Sequence, residues 1–226
     1  WGGSHRAGNG RVEGLGADVI SFGQGMSELE ALHHQIRRCT DCPLSQTRTQ
    51  AVPGEGPERA EVMFIGEGPG FHEDRQGRPF VGPAGRFLDE LLASVHLRRE
   101  EVYITNVVKC RPPNNRDPLP SEVQACRKYL ERQLAIVRPR VVVTLGRHSL
   151  AWFFPKDSIT KVHGQVRVKD GVFFLHLYHP AAALHLPAMR QTIEEDFRRL
   201  PEVLAQARSA PQAYEPSSPA QQMRLF

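Results

Sequence analysis

Short apolar runs recur along the chain, separated by stretches in which apolar residues return every three or four positions. Val62-Met63-Phe64-Ile65, Val102-Tyr103-Ile104-Thr105-Asn106-Val107-Val108 and Val141-Val142-Val143-Thr144-Leu145 read as buried strands. Runs too short for a helix and apolar on both faces suit the middle of a parallel sheet. Val166–Val168 and Val172–Leu175 flank Lys169-Asp170-Gly171, and the Asp-Gly pair predicts a hairpin whose second strand ends at Leu177-Tyr178-His179-Pro180. Between the strands, Ser27 followed three residues later by Glu30 is a capping box, and Leu29, Leu32 and Ile36 continue it as one helical face to about Arg38. Further helices are expected over 86–95, 120–137, 147–154 and 189–204, the last carrying Pro201 as a point where it can split. This alternation predicts an α/β fold of three layers, α/β/α, around a mostly parallel sheet of four to five strands. Residues 1–25 hold eight glycines and little apolar material, which predicts disorder. A domain over 26–206 and a flexible tail over 207–226 complete the organisation.

The stretch from Gly66 to Gly85 breaks the pattern. It holds six glycines and three prolines in twenty residues. That content predicts a long loop leaving a strand end, with no helix directly after Gly66-Glu67-Gly68-Pro69-Gly70. The tract lacks the Lys-Ser/Thr of a phosphate loop and does not match G-x-G-x-x-G, so neither nucleotide motif is indicated. Strand ends in a parallel sheet lie side by side and form its ligand crevice. Three of them carry polar residues: Glu67 after the first strand, Asn106 at the second and His179 after the last. Singly these read as a surface charge, a turn cap and a satisfied histidine. Together they place a carboxylate, a carboxamide and an imidazole at one pocket.

Charge changes this picture little. A net charge of +4 permits nucleic-acid binding without requiring it. No apolar run approaches the ~20 residues that span a bilayer, and the N-terminus lacks the order of a secretory leader, so a cytoplasmic protein with no membrane partner is expected. The cysteines change it more. Cys39 and Cys42 form a Cys-x-x-Cys turn, and Cys110 and Cys126 follow later. In a cytoplasmic chain this pattern favours a metal over disulfides, and spacing alone suggests four-cysteine zinc. His33 and His34 lie close by as further ligands, or, one or both, on the solvated helix face.

Taken together, Gly-Glu-Gly-Pro-Gly at 66–70, Glu73-Asp74, Gly-Arg-Pro-Phe-Val-Gly at 77–82 with Ala84-Gly85, Val-Tyr-Ile-Thr-Asn-Val-Val-Lys-Cys-Arg-Pro-Pro at 102–113 and His179-Pro180 resemble the family 4 uracil-DNA glycosylases. These are the iron–sulfur members of their superfamily, and the resemblance runs from about Leu29 to Leu204. It implies an enzyme that starts base-excision repair by hydrolysing the N-glycosidic bond of deoxyuridine in DNA. It turns the expected cofactor from zinc to a 4Fe–4S cluster on Cys39, Cys42, Cys110 and Cys126. By position, it implies that Glu67 orients or activates water in a loop with Gly68 and Pro69, and that Phe80 stacks on the flipped uracil. Asn106 would read the base edge, His179 would donate to uracil O2, and Glu73 would crowd C5 against thymine. Pro180 to Pro187 resembles the family's intercalating loop, with Leu184 as wedge and His185 beside it. Arg78, Lys109, Arg111, Arg116 and Arg147 are candidate phosphate contacts.

The departures are modest. Phe71-His72 occupies positions often acidic in the family, and Ala182-Ala183 lightens the wedge loop. Arg111–Ser121 contains no His, so the DNA-crosslinking activity of a related branch is not expected. The final residues, including Gln222, Leu225 and Phe226, resemble peptides that bind the bacterial sliding clamp. The partners expected are uracil-containing DNA and that clamp, with the enzyme itself a monomer.

Overall fold

The computed structural model describes Gly2 and residues 26–211. Most of the expected N-terminal disordered segment, and the clamp peptide with Gln222, Leu225 and Phe226, therefore lie outside the described residues. Among the described residues five strands form one sheet: β1 (Val62–Gly66), β2 (Tyr103–Asn106), β3 (Val141–Leu145), β4 (Val166–Lys169) and β5 (Val172–Leu177), in the order β2-β1-β3-β5-β4. The first four in that order are parallel, and β4 closes the edge antiparallel to β5. β1, β2 and β3 are buried along their whole lengths. That is why they read as continuous apolar runs rather than alternating ones.

Side chains alternate between the two faces. Met63 and Ile65 of β1 face one core with Leu32 and Ile36 of α1 (Glu28–Arg38) and Leu130 and Leu134 of the long helix Pro120–Val137. Val62 and Phe64 face the other core, with Leu88 and Leu91 of Pro83–Ser94 and Phe197 and Val203 near the C-terminal end. The layers are therefore α/β/α. The end of the domain is two helices, Ala188–Phe197 and Leu200–Ser209, and Pro201 stands in the first turn of the second. Proline starts a helix there without losing a bond. The second helix runs three residues past the boundary expected at 206. Among the described residues no helix is long and apolar enough to cross a membrane.

The Gly66–Gly85 tract is not the continuous loop its composition suggests. Two short elements follow the first helix: α2 (Leu44–Thr47) and then, directly after Gly70, α3 (Phe71–Gln76). The glycines are its caps rather than its interior. Gly70 is extended at the N-cap, with the Glu73 carboxylate returning to its N–H at 3.1 Å. Gly77 ends the helix in the left-handed region at φ 69°, where a side chain is penalised. The helix α4 (Pro83–Ser94) starts inside the tract as well, with Pro83 in its first turn. Continuing in chain order, α5 is Pro120–Val137, α6 Arg147–Phe153, α7 Ile159–Val162, α8 Ala181–His185, α9 Ala188–Phe197 and α10 Leu200–Ser209.

Candidate active site

The parallel strand ends open onto one cavity of about 340 Å³, lined by Glu67, Pro69, Phe80, Asn106, His179 and His185 among others. Each arrives on a different element. Gly66 pairs with Asn106 in the β1–β2 register, so Glu67 leaves the sheet beside the carboxamide. The N–H groups of Val107 and Val108 then donate to the carbonyls of Gly66 and Glu67, both at 3.0 Å. They fasten the Glu67 loop past the strand end. A Cβ on Gly66 would meet the Asn106 carboxamide oxygen and lie 2.7 Å from Phe80 Cζ. Only glycine leaves room for those two groups to approach the main chain.

Phe80 adopts φ 50°, a strained value for an aromatic residue. Arg99 holds it there: one guanidinium nitrogen donates to the Phe80 carbonyl at 3.0 Å and another to the carbonyl of Pro79. The Phe80 ring stacks against His179, with centroids 5.4 Å apart and planes 27° off parallel. Glu73 lines the same cavity with both carboxylate oxygens engaged. One accepts from Gly70 N–H and the other from Val81 and Gly82 N–H, each of the latter at 2.8 Å. Whatever it does to a ligand, this carboxylate organises the Phe80 loop.

Two polar groups point to the ligand. The Asn106 carboxamide oxygen is buried and has no hydrogen-bond partner. An orphan acceptor of this kind costs about 1–3 kcal/mol and marks a place where a donor is expected. His179 Nδ1 accepts from the Ala181 N–H at 3.1 Å. That bond leaves the proton on Nε2, so the ring is a neutral donor. Burial holds its pKa down at about 4, with Glu73 opposing weakly.

His33 and His176 are also held at about 4, chiefly by burial. Of the two histidines on α1, His34 is exposed on the solvated face, whereas His33 is half-buried with its Nε2 2.7 Å from the Tyr103 hydroxyl. Between about pH 4 and the ordinary value near 6.5 the unfolded chain binds more protons than the folded one, so stability rises with pH there. The stabilisation is complete above pH 6.5 and is lost as pH falls. The melting temperature is expected to drop at each step from pH 7 to 6 to 5, as followed by circular dichroism.

Glu67 is half-buried, and burial raises its pKa above the usual carboxylate range. His148 opposes this, Asp117 adds to it and Arg147 opposes it. One ligand atom each from Glu67, Asp117 and His148 lies within 4.8 Å of the others. Sequence reasoning missed this group, since no periodicity marks a meeting of residues about fifty and thirty positions apart in the chain.

The four cysteines converge elsewhere, around a small cleft between α1, α2 and α5 that Arg48 and Tyr129 also line. None is in a disulfide. Arg48 donates to Cys110 Sγ at 2.9 Å and the Lys109 N–H donates to Cys126 Sγ at 3.3 Å. Sulfurs that collect N–H donors suit thiolates bound to a metal, whose charge such bonds spread. Burial otherwise pushes the Cys126 thiol up to about 12. The residues present therefore fit a metal or cluster.

Lys109 is not a phosphate contact. It is 1% exposed, and its ammonium donates to Thr105 Oγ1, the Asn106 carbonyl and Gln133 Oε1 at 2.6–2.7 Å. Gln133 in turn donates to the Tyr103 hydroxyl, so a buried polar network underlies Asn106. Arg78, Arg116 and Arg147 are paired with Glu55, Glu122 and Asp117. Leu184 is 49% exposed on α8 and Leu186 beyond it is 62% exposed. Both stand free of the core next to His185 on the cavity rim.

A parallel sheet with a carboxylate, a carboxamide and a neutral imidazole at its strand ends defines the class: the chain belongs to the uracil DNA glycosylase superfamily, whose family model matches residues 53–200. Within it the similarity is to the type-4 enzymes. The chain is 48% identical over 188 residues to the type-4 uracil-DNA glycosylase of Sulfurisphaera tokodaii, covering 79% of this chain and 86% of that one. It is 44% identical over 176 residues to the type-4 enzyme of Thermotoga maritima, covering 76% and 92%. A type-5 uracil-DNA glycosylase of Pyrobaculum aerophilum is more distant, at 36% over 176 residues, covering 69% and 74%.

Proposed function

We infer that the chain is a monofunctional uracil-DNA glycosylase that hydrolyses the bond between uracil and deoxyribose and leaves an abasic site. The observation that carries this reading is the buried, unpartnered Asn106 oxygen in one cavity with the Nε2–H of His179. Uracil offers an N3–H to the first and an O2 acceptor to the second. The Asn106 amide nitrogen suits O4, whereas cytosine would meet it donor to donor, and mispaired buried groups discriminate strongly. Phe80 supplies the flat wall on which a pyrimidine stacks. A base in a duplex cannot reach such a cavity, so it must be flipped out at a cost of a few kcal/mol. We assign Leu184, exposed on α8, to the gap left behind, with His185 at the rim.

As the C1′–N1 bond breaks, its electron pair passes to uracil and positive character develops on the sugar. The His179 donor favours charge on O2, and it does so as a neutral group, which donates without a proton having to be lost first. Glu67, leaving β1 beside Asn106, favours the cationic sugar and orients the attacking water. Cys39, Cys42, Cys110 and Cys126 are proposed to hold a 4Fe–4S cluster in preference to zinc. When bound, it would fasten α1, the loop after β2 and α5 together, supplying cross-linking rather than reaction chemistry. Glu73 is retained as the group facing C5, and the C-terminal peptide as a tether to a sliding clamp. A cytoplasmic location is proposed with it.

Incubation with a uracil-containing oligonucleotide, followed by alkali, should cut the strand at the uracil. Glu67→Ala should slow this by about 10²–10⁴-fold, the range for a positioned acid–base group. Intact strands with the parent protein, despite DNA binding, would instead favour a non-catalytic binding module of the same fold.

A further inference from the structure

The flat wall that Phe80 supplies depends on a turn held from two sides. Phe80 sits at φ 50°, and a Cβ on Gly85 would lie 1.9 Å from its carbonyl oxygen. After Phe80, the Glu73 carboxylate accepts the N–H groups of Val81 and Gly82. On the other side Arg99, in the turn before β2, donates to the carbonyls of Pro79 and Phe80. The rest of its fork reaches outward, Nε to Glu55 Oε1 at 2.8 Å and Nη1 to Asp89 Oδ1 of α4 at 3.0 Å. The Arg99 side chain is 18% exposed, and it does not line the cavity itself. Glu55 carries the connection further. Its N–H donates to the Ile104 carbonyl at 2.9 Å and its carbonyl accepts from the Ile104 N–H at 2.7 Å. Arg78 braces its carboxylate at 2.6 Å. Ile104 lies in β2 two residues before Asn106.

One guanidinium and one carboxylate thus join the turn that carries Phe80 to the strand that carries Asn106. We propose that Arg99 is a positioning residue for uracil release: it fixes the Phe80 ring relative to the Asn106 carboxamide, so that a flipped base meets wall and amide together. Without the fork, the two carbonyls lose their donors and nothing offsets the left-handed backbone of an aromatic residue. Lysine cannot take its place. An ammonium is a point donor on a flexible stem and cannot span two carbonyls and two carboxylates in a fixed plane. This inference rests on the glycosylase reading and adds to it how the stacking wall is held.

The test is a double-mutant cycle between Arg99 and Phe80, read by steady-state uracil release from an oligonucleotide and by inhibition with free uracil. Stacking holds the base in the ground state as well as the transition state, so its loss falls on KM more than on kcat. Arg99→Lys should raise KM and the inhibition constant for uracil on the order of 10-fold, the low end of what base–aromatic stacking is worth, and leave kcat within about 3-fold. In a Phe80→Ala background the same substitution should change neither constant by more than about 2-fold, because the ring it places is gone. Glu55→Gln keeps an acceptor for Arg99 but removes its charge. It should give the same pattern at about 3-fold, again absent in Phe80→Ala, and serves as the second variant should Arg99→Lys fail to fold. A factor that persists in the Phe80→Ala background, or an Arg99→Lys protein with the parent's constants, overturns the inference while leaving the glycosylase standing. A parent protein that releases no uracil overturns the glycosylase reading itself, and the inference with it.

Discussion

Asn106→Ala is expected to lower single-turnover uracil release by about 10³-fold or more, while the melting temperature stays within about 3 °C of the parent's. The two halves of that result have one cause. The carboxamide oxygen is buried without a partner, so the folded protein bears its desolvation cost until a ligand supplies an N–H. Alanine removes the orphan and therefore part of that cost. The Asn106 main-chain carbonyl, which accepts from Lys109 at 2.6 Å, is untouched, so the network below stays closed. Uracil in the variant loses its edge contacts at a buried position, which is where such contacts discriminate most. The measurement pairs rapid-quench assays on a uracil oligonucleotide with thermal melts. A large fall in melting temperature would mean that the side chain serves the fold rather than the base.

His179→Ala should cost about 10²–10³-fold in kcat, roughly 2.7–4 kcal/mol, the range for removing one donor from a developing oxyanion. KM should change less, because the bond strengthens as charge reaches O2. His179→Gln should recover part of the loss, since its amide can donate from a similar position. The parent's rate should show no inflection between pH 5 and 8 from this ring, which is held neutral down to about pH 4. An inflection near 6.5 that vanished in His179→Gln would mean that the ring works as a cation, contrary to the Ala181 bond that fixes its tautomer.

Much of the fold is legible in the chain because burial leaves local marks. β1 and β3 are continuous apolar runs because both of their faces are covered. The Ser27–Glu30 box forms as written, with each side chain on the other's backbone. Asp170 and Gly171 take the positive φ values that the hairpin turn demands. The cavity's main members were legible for a related reason: Glu67, Asn106 and His179 each stand at a strand's end, and a parallel sheet brings such ends together.

The remainder is not written in any one stretch. Composition makes the glycines after β1 look like loop, yet two of them cap α3, and Glu73 binds three backbone N–H groups to set the Phe80 turn. Lys109 reads as a surface charge beside a DNA-facing loop, and only Gln133, Thr105 and the Asn106 carbonyl around its ammonium account for its burial. His148 gives no signal at all in its own helix, because its place beside Glu67 and Asp117 joins connections far apart in the chain. The sequence by itself determined the sheet, its layers and the residue types at the strand ends, since those follow from the period of apolar positions. The tertiary structure alone decided which polar groups are desolvated and which face one another, since those depend on packing between residues far apart in the chain.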